Sequence, residues 1–186
     1  MSIELVLVVP LLVWALLSTF VYFDAFRVEA NSNRASLTLA EMFSRETTPI
    51  TSEFLNSARE VLRTLTFEES SPDYRVTVYR YRPGDDSYLR VWSRHRGLDQ
   101  TLRNEDLALL QAENKLPKMN SIDHAILIET RIEYDAPFSI GLSPFTGTSL
   151  DDVTFTTFTV IRPRASKLCF DSSPGDGDNT SVQCGP

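Results

Sequence analysis

The sequence predicts an α+β protein in which an N-terminal transmembrane helix continues into a long helix packed on an antiparallel sheet. Three observations predict it. An apolar run extends from Leu5 to Phe23, interrupted only by Ser18 and Thr19. The next segment, DAFRVEANSNRASLTLAEMFSRE, contains neither Gly nor Pro. Several stretches dense in β-branched and aromatic residues then follow, the composition that suits a pleated, half-buried surface.

The apolar run would span roughly 28 Å as a helix, close to the hydrocarbon thickness of a bilayer. Asp24 and Arg27 follow it rather than a small-residue cleavage site, so a retained single-pass anchor is expected over residues 1–26. Beyond it, Phe26, Ala30, Leu37, Ala40 and Phe43 recur at helix-like intervals opposite Arg27, Asn31, Arg34 and Glu41, which predicts a helical extension over 27–46. A folded α+β domain takes the remaining residues, 47–186.

In that domain, Thr48 with Pro49, or Thr51 with Glu53, can open a second helix. Its apolar stripe is Phe54, Leu55, Ala58, Val61, Leu62 and Leu65, suited to packing against a sheet. YRVTVYRYR and SYLRVWSRHR flank PGDD and read as a hairpin. Alternation puts Val76 and Val78 on one face of the first strand and Thr77, Tyr79 and Tyr81 on the other. In the second strand, Leu89 and Val91 oppose Arg90, Trp92 and Arg94. Asn104 is a candidate cap for a short helix that Pro117 ends. HAILIETRIEY and VTFTTFTVIRPR give two more strands, joined by SIGLSPFTGTSLDD, a loop rich in turn formers.

The two cysteines, Cys169 and Cys184, close the polar loop CFDSSPGDGDNTSVQC. Such a pair at the end of an anchored domain points to a disulfide, contributing roughly 3 kcal/mol in the chain-entropy model. The alternative is two reduced thiols in a cytosolic tail. The disulfide reading puts the domain in an oxidising compartment, with the N-terminus inside and the C-terminus outside.

Charge and motifs narrow the function. With 25 acidic and 18 basic residues the net charge is −7, which argues against a nucleic-acid partner. His95 and His124 are the only histidines and stand in no metal or nucleophile motif, so each is expected to be a surface or satisfied residue. Glu129 and Glu133, with Arg131 between them, read as a solvated, charge-alternating surface. Asp176 and Asp178 with Asn179 offer oxygen ligands to calcium without the full loop spacing, and Asn179-Thr180-Ser181 matches a glycosylation sequon. No catalytic residues, cofactor, metal or small-molecule substrate are expected. Arg75, Arg80, Arg82, Arg90, Arg94 and Arg96 interleave with Tyr79, Tyr81, Tyr88 and Trp92 on the hairpin. Within this set Arg80, Arg82, Arg90, Trp92 and Arg94 form a candidate partner-docking surface, against the plainer reading of intramolecular salt bridges and cation–π pairs.

The opening IELVLVVPLL, the central LPKMNSIDHAILIETRIEYDAPF and the late FTVIRPRASKLC resemble the TadE-like family, minor pilins or pseudopilins of the tight-adherence pilus. The resemblance covers both ends and part of the middle of the chain. It implies a pilin-like fold, an inner-membrane anchor, a periplasmic C-terminal domain and partners among other pilins or pilus-assembly proteins. It maps the family's conserved acid onto Glu4 and its proline onto Pro10. Leu5 departs from the pattern, standing where the family carries an aromatic residue. On this resemblance the Glu4 carboxylate pairs with the amino terminus of a neighbouring subunit and sets helix register during assembly. The alternatives are that Glu4 is simply solvated among lipid headgroups and that Pro10 is a tolerated kink. The expected role is structural: assembly of a Tad-type adhesion pilus. The alternative is a tethered periplasmic accessory subunit of an unrelated envelope complex.

Overall fold

The computed structural model describes residues 3–67, 71–119, 123–137, 153–164, 167–172 and 182–184. Helix α1 runs unbroken from Ile3 to Arg45, so anchor and extension are one element. Helix α2 spans Ser52–Thr66 and starts where Thr51, in extended conformation, accepts the Phe54 N–H on its hydroxyl at 3.2 Å. Strands β1 (Asp73–Arg82) and β2 (Ser87–Arg96) form the expected hairpin, and α3 (Asn104–Ala112) leads to β3 (His124–Tyr134) and β4 (Val153–Ile161). The four strands make one antiparallel sheet in the order β2-β1-β3-β4. The short strands β5 (Phe170–Asp171) and β6 (Val182–Gln183) pair beside the Cys169–Cys184 disulfide. The loop SIGLSPFTGTSLDD lies outside the described residues.

One face of the sheet carries α1 and α2. Helix α1 lies along β3 and β4. Tyr134 at the end of β3 donates its hydroxyl to the Asp24 carboxylate at 3.2 Å, Ser36 bonds Thr159 at 3.0 Å, and Ser44 donates to the Arg162 carbonyl at 2.9 Å. Rising contacts along both chains mean that α1 and β4 run in the same direction. The helix surface that does this is Val21, Ala25, Val28, Ser32, Ala35, Ser36, Leu39, Ala40 and Phe43, all buried. This corrects the stripe read from apolar identity: Phe26 and Leu37 face outward, 64% and 60% exposed. Small residues win the inner face because a helix laid along a sheet needs close approach, and Ser occupies such sites at little volume. A band of hydroxyls results, with Thr130 bonded to Thr157 and Ser36 to Thr159. It separates the lower apolar cluster of Ala25, Val28, Ile132 and Tyr134 from the main core.

The main core gathers α1, α2 and three strands around Leu39, Phe43, Leu55, Leu62, Val76, Val78, Trp92, Ile126 and Ile128. Phe43 meets Phe54 edge to face at 5.3 Å, and the Tyr74 hydroxyl donates to the Leu55 carbonyl at 2.6 Å. Helix α2 thus packs on α1 as well as on the sheet. Its stripe is offset from the expected one, since Thr66 is buried and Val61 exposed.

The opposite face carries α3, over Tyr79, Tyr88, Leu102, Leu107, Leu116 and Leu127. Asn104 does not cap this helix. The Asp106 carboxylate accepts the Arg103 N–H at 2.7 Å, while the Asn104 side chain accepts the Arg90 N–H at 2.8 Å, filling part of the outer edge of β2. Nor does Pro117 end the helix. Asn114 turns left-handed, with its N–H on the Gln111 carbonyl and that of Lys115 on Leu110, a Schellman closure. Gly97 at the end of β2 also has positive φ, and a Cβ there would collide with the Asp73 carboxylate.

The two faces of α1 separate in a stability test. In mild detergent, with Trp14→Phe leaving Trp92 as sole reporter, Leu39→Ala is expected to lower stability to urea by about 2–5 kcal/mol. Leu37→Ala, on the outward face, should change it by less than about 0.5 kcal/mol.

Candidate functional site

The first candidate site is the exposed half of α1. Glu4 lies in its first turn, exposed to solvent, where the helix dipole favours a carboxylate. Pro10 sits inside the helix and has no N–H to offer the Val6 carbonyl. Leu5 through Trp14 are all exposed, and Thr19 returns its hydroxyl to the Ala15 carbonyl at 2.8 Å. This helix is long and apolar enough to cross a membrane. The outward face does not stop at the span. Phe23, Phe26, Ala30 and Leu37 follow within a sector of about 60°, diametrically opposite the sheet.

The second candidate is the arginine-rich hairpin, and the structure divides it. Register shifts between Val78 and Tyr79, so Val78 faces Trp92 and Tyr79 faces Arg90. Val91 is the extra residue of a β-bulge, and Arg90 and Trp92 therefore leave the strand on opposite sides. Arg90 turns to the α3 face and donates to the Leu102 carbonyl at 2.9 Å. Trp92 enters the main core, 1% exposed, and donates its indole N–H to the Leu168 carbonyl at 2.8 Å. Arg94 lies on that same side, its guanidinium 4.1 Å from the Phe170 ring centre. Burial, then the charges of Arg90 and Arg96, push the Arg94 pKa below its ordinary value. Arg82 is held in the turn by Asp85, whose carboxyl the guanidinium keeps below the usual range. Arg80 stands between Leu89 and His124 in the register. The five residues thus do not share one surface, a correction that follows from the bulge.

Arg75 and Glu129 were not expected to meet. Neighbouring positions on β1 and β3, they form two hydrogen bonds of 2.6 and 2.9 Å, with both side chains below a fifth exposed. Arg75 also donates to the Gln100 carbonyl at 2.9 Å, tying down the segment that crosses to α3. This pair lines an open cleft of about 320 Å³ with Asp106, Leu109, Leu110 and Glu113. Its charged groups already have partners: Asp106 closes the start of α3 and Glu113 pairs with Lys115. Glu133 remains exposed beside Arg131, as expected.

The histidines differ from expectation. His124 is buried at the start of β3, and its Nε2 has no hydrogen-bond partner among the described residues; the Nδ1 of His95 likewise has none. At the C-terminal end, the disulfide forms as predicted. Asp176, Asp178 and the sequon Asn179-Thr180-Ser181 lie outside the described residues.

Compared with protein-family models, curated proteins and solved structures, the chain matches none of them.

The ion pairs differ in depth and so in worth. Glu129→Ala strands a half-buried guanidinium and is expected to cost about 2–3 kcal/mol in chemical denaturation. Arg82→Ala, exposed in the turn, should cost below about 1 kcal/mol.

Proposed function

We propose that the chain is a membrane-anchored, minor-pilin-like subunit that takes part in assembling a Tad-type adhesion pilus, structurally and without catalysis. The C-terminal domain lies in the periplasm, where the disulfide is at home. The observation that carries this reading is the apolar outward stripe of α1, which continues through Phe26 to Leu37, 60% exposed. A helix serving only as a tether has no need of apolar side chains at that distance beyond the bilayer. A helix that packs side by side with another does, and exposed apolar stripes mark such interfaces.

Glu4 and Pro10 then have roles in the same assembly. A carboxylate drawn to bilayer depth costs several kcal/mol unless neutralised, and the amino terminus of a neighbouring subunit supplies the opposite charge. Only one axial stagger of two helices brings these groups together, so the pair selects register. Pro10 leaves the Val6 carbonyl without its helical donor, a local weakness at which the anchor can bend. The partners are the lipid bilayer and other pilins or pilus-assembly proteins.

Co-purification from membranes in mild detergent tests the proposal, with wild type, Glu4→Gln and Leu37→Ser compared by mass spectrometry. Pilins or pilus-assembly proteins should be recovered with wild type. Each substitution should reduce them at least about tenfold, the equivalent of 1.4 kcal/mol. Recovery of proteins unrelated to pili, unchanged by either substitution, would sink the proposal in favour of a tethered accessory subunit.

A further inference from the structure

The two edges of the sheet differ in how they meet a further strand. At β2 the bulge, the Asn104 side chain on the Arg90 N–H and the charges of Arg94 and Arg96 all obstruct one. Strand β4 has none of these devices. Its nine residues, VTFTTFTVI, include no charge, Pro or Gly. Its register with β3 runs from Ile126 opposite Ile161 to Tyr134 opposite Val153 without a shift. On its other side, among the described residues, β4 makes no backbone hydrogen bond.

Side chains leave β4 alternately. Toward α1, Phe155 packs with the lower cluster, Thr157 bonds Thr130 and Thr159 bonds Ser36. On the other face Thr154, Thr156 and Phe158 are exposed, with Phe158 at 37%. The α3 cluster reaches β4 at Val160 and leaves these three uncovered.

An open edge takes a strand through main-chain hydrogen bonds. A charged strand would set unpaired charges beside Phe155 and Phe158. Among the four strands of the sheet, β4 alone carries no Asp, Glu, Lys or Arg, so the strand that suits it is β4 of a second copy. Direction follows from α1. With α1 as a membrane anchor, two copies in one bilayer stand the same way up. Because α1 and β4 run in the same direction, the two β4 strands are then parallel. A two-fold axis along the strands gives this pairing and turns one sheet over. The α1-side row of each β4 then lies beside Thr154, Thr156 and Phe158 of the other copy, which covers the Phe158 ring.

We infer that β4 is a self-pairing edge. Two copies in one bilayer join along it, parallel and with α1 on opposite faces, into one sheet ordered β2-β1-β3-β4-β4-β3-β1-β2. The inference rests on the anchor reading of α1 and on no other part of the pilus proposal. The seam is about 30 Å long. Parallel ladders are slightly weaker per residue than antiparallel ones, and holding both anchors in one membrane raises the effective concentration of the two edges.

The full chain reconstituted in phosphatidylcholine vesicles provides the test, spin-labelled at Thr154→Cys, Thr156→Cys or Phe158→Cys, one label per chain. Dipolar spectroscopy should give one short distance between copies, below about 20 Å and alike at all three positions, since a two-fold along the strand keeps equal residues level. Antiparallel pairing would make the three differ. Thr154→Lys with Thr156→Lys changes only exposed positions. Read from the label at Phe158, it should reduce the short-distance fraction at least about tenfold. Leu37→Ser, on the outward face of α1, should leave that fraction unchanged. Protein that floats with the vesicles overturns the pairing if it shows no short distance, unequal distances, or a distance that survives Thr154→Lys/Thr156→Lys. A short distance lost in Leu37→Ser would overturn it as well, by moving the contact to α1. Protein that does not float overturns the anchor reading and the parallel pairing with it. Recovery of pilins from membranes is read separately from all of these.

Discussion

Helix α1 carries an exposed apolar stretch long enough to cross a membrane and a face buried on the sheet, and the rest of the architecture is arranged around how it combines them. From Val21 onward one side is committed to the sheet, while Phe23 and Phe26 on the other side are still exposed. The apolar segment and the protein contact overlap over that turn and a half. The Tyr134 hydroxyl sits at the overlap, bonded to Asp24, so the end of β3 meets the helix where the apolar span gives out. Strand length and helix position are matched there. Nine residues of β4 run beside the helix, and both the hydroxyl band and the two apolar clusters follow from that lengthwise seat.

The C-terminal half of the chain closes this arrangement. After β4 the Arg164 N–H reaches the Ser44 carbonyl at 2.9 Å at the end of α1, and the segment around Leu168 and Phe170 lies against β2. Trp92 and Arg94 receive it, one through a hydrogen bond and the other through the face of Phe170. Residues that a linear reading would assign to recognition are spent internally. Arginine is well suited to this, since its planar fork and weakly hydrated cation tolerate partial burial beside aromatic rings and carboxylates.

What could be read from the sequence was whatever local chemistry decides. The extent of α1, the Thr51 cap, the hairpin about Pro83–Asp86 and strands β3 and β4 each carry their own signal in propensity or turn chemistry. Features fixed by distant neighbours were not legible. Ser32 and Ser36 look polar, yet they line the buried side because the sheet approaches closely there. The bulge at Val91 has no sequence mark, and a single extra residue reversed the facing of everything after it. The Arg75–Glu129 pair needed the knowledge that β1 lies beside β3 rather than at an edge. Asn104 shows the same limit on a small scale: its side chain suits a helix cap, but the free N–H of Arg90 competes for it and wins. At the candidate sites, Glu4 and Pro10 stood out by their chemistry, whereas the outward stripe emerged only once the sheet had claimed the other side of the helix.

An unbroken helix also transmits angle. With about 100° of turn per residue, the rotational phase of the folded domain is locked to that of the exposed apolar half of α1, because no Gly or Pro lies between Leu11 and Arg45 to absorb a twist. The domain is mounted like a vane on a shaft. Fixing the azimuth of the exposed half of α1 fixes which way the hairpin and α3 point around the helix axis. A lone insertion among residues 11–20 would swing them through more than a quarter turn while leaving every contact within the domain intact.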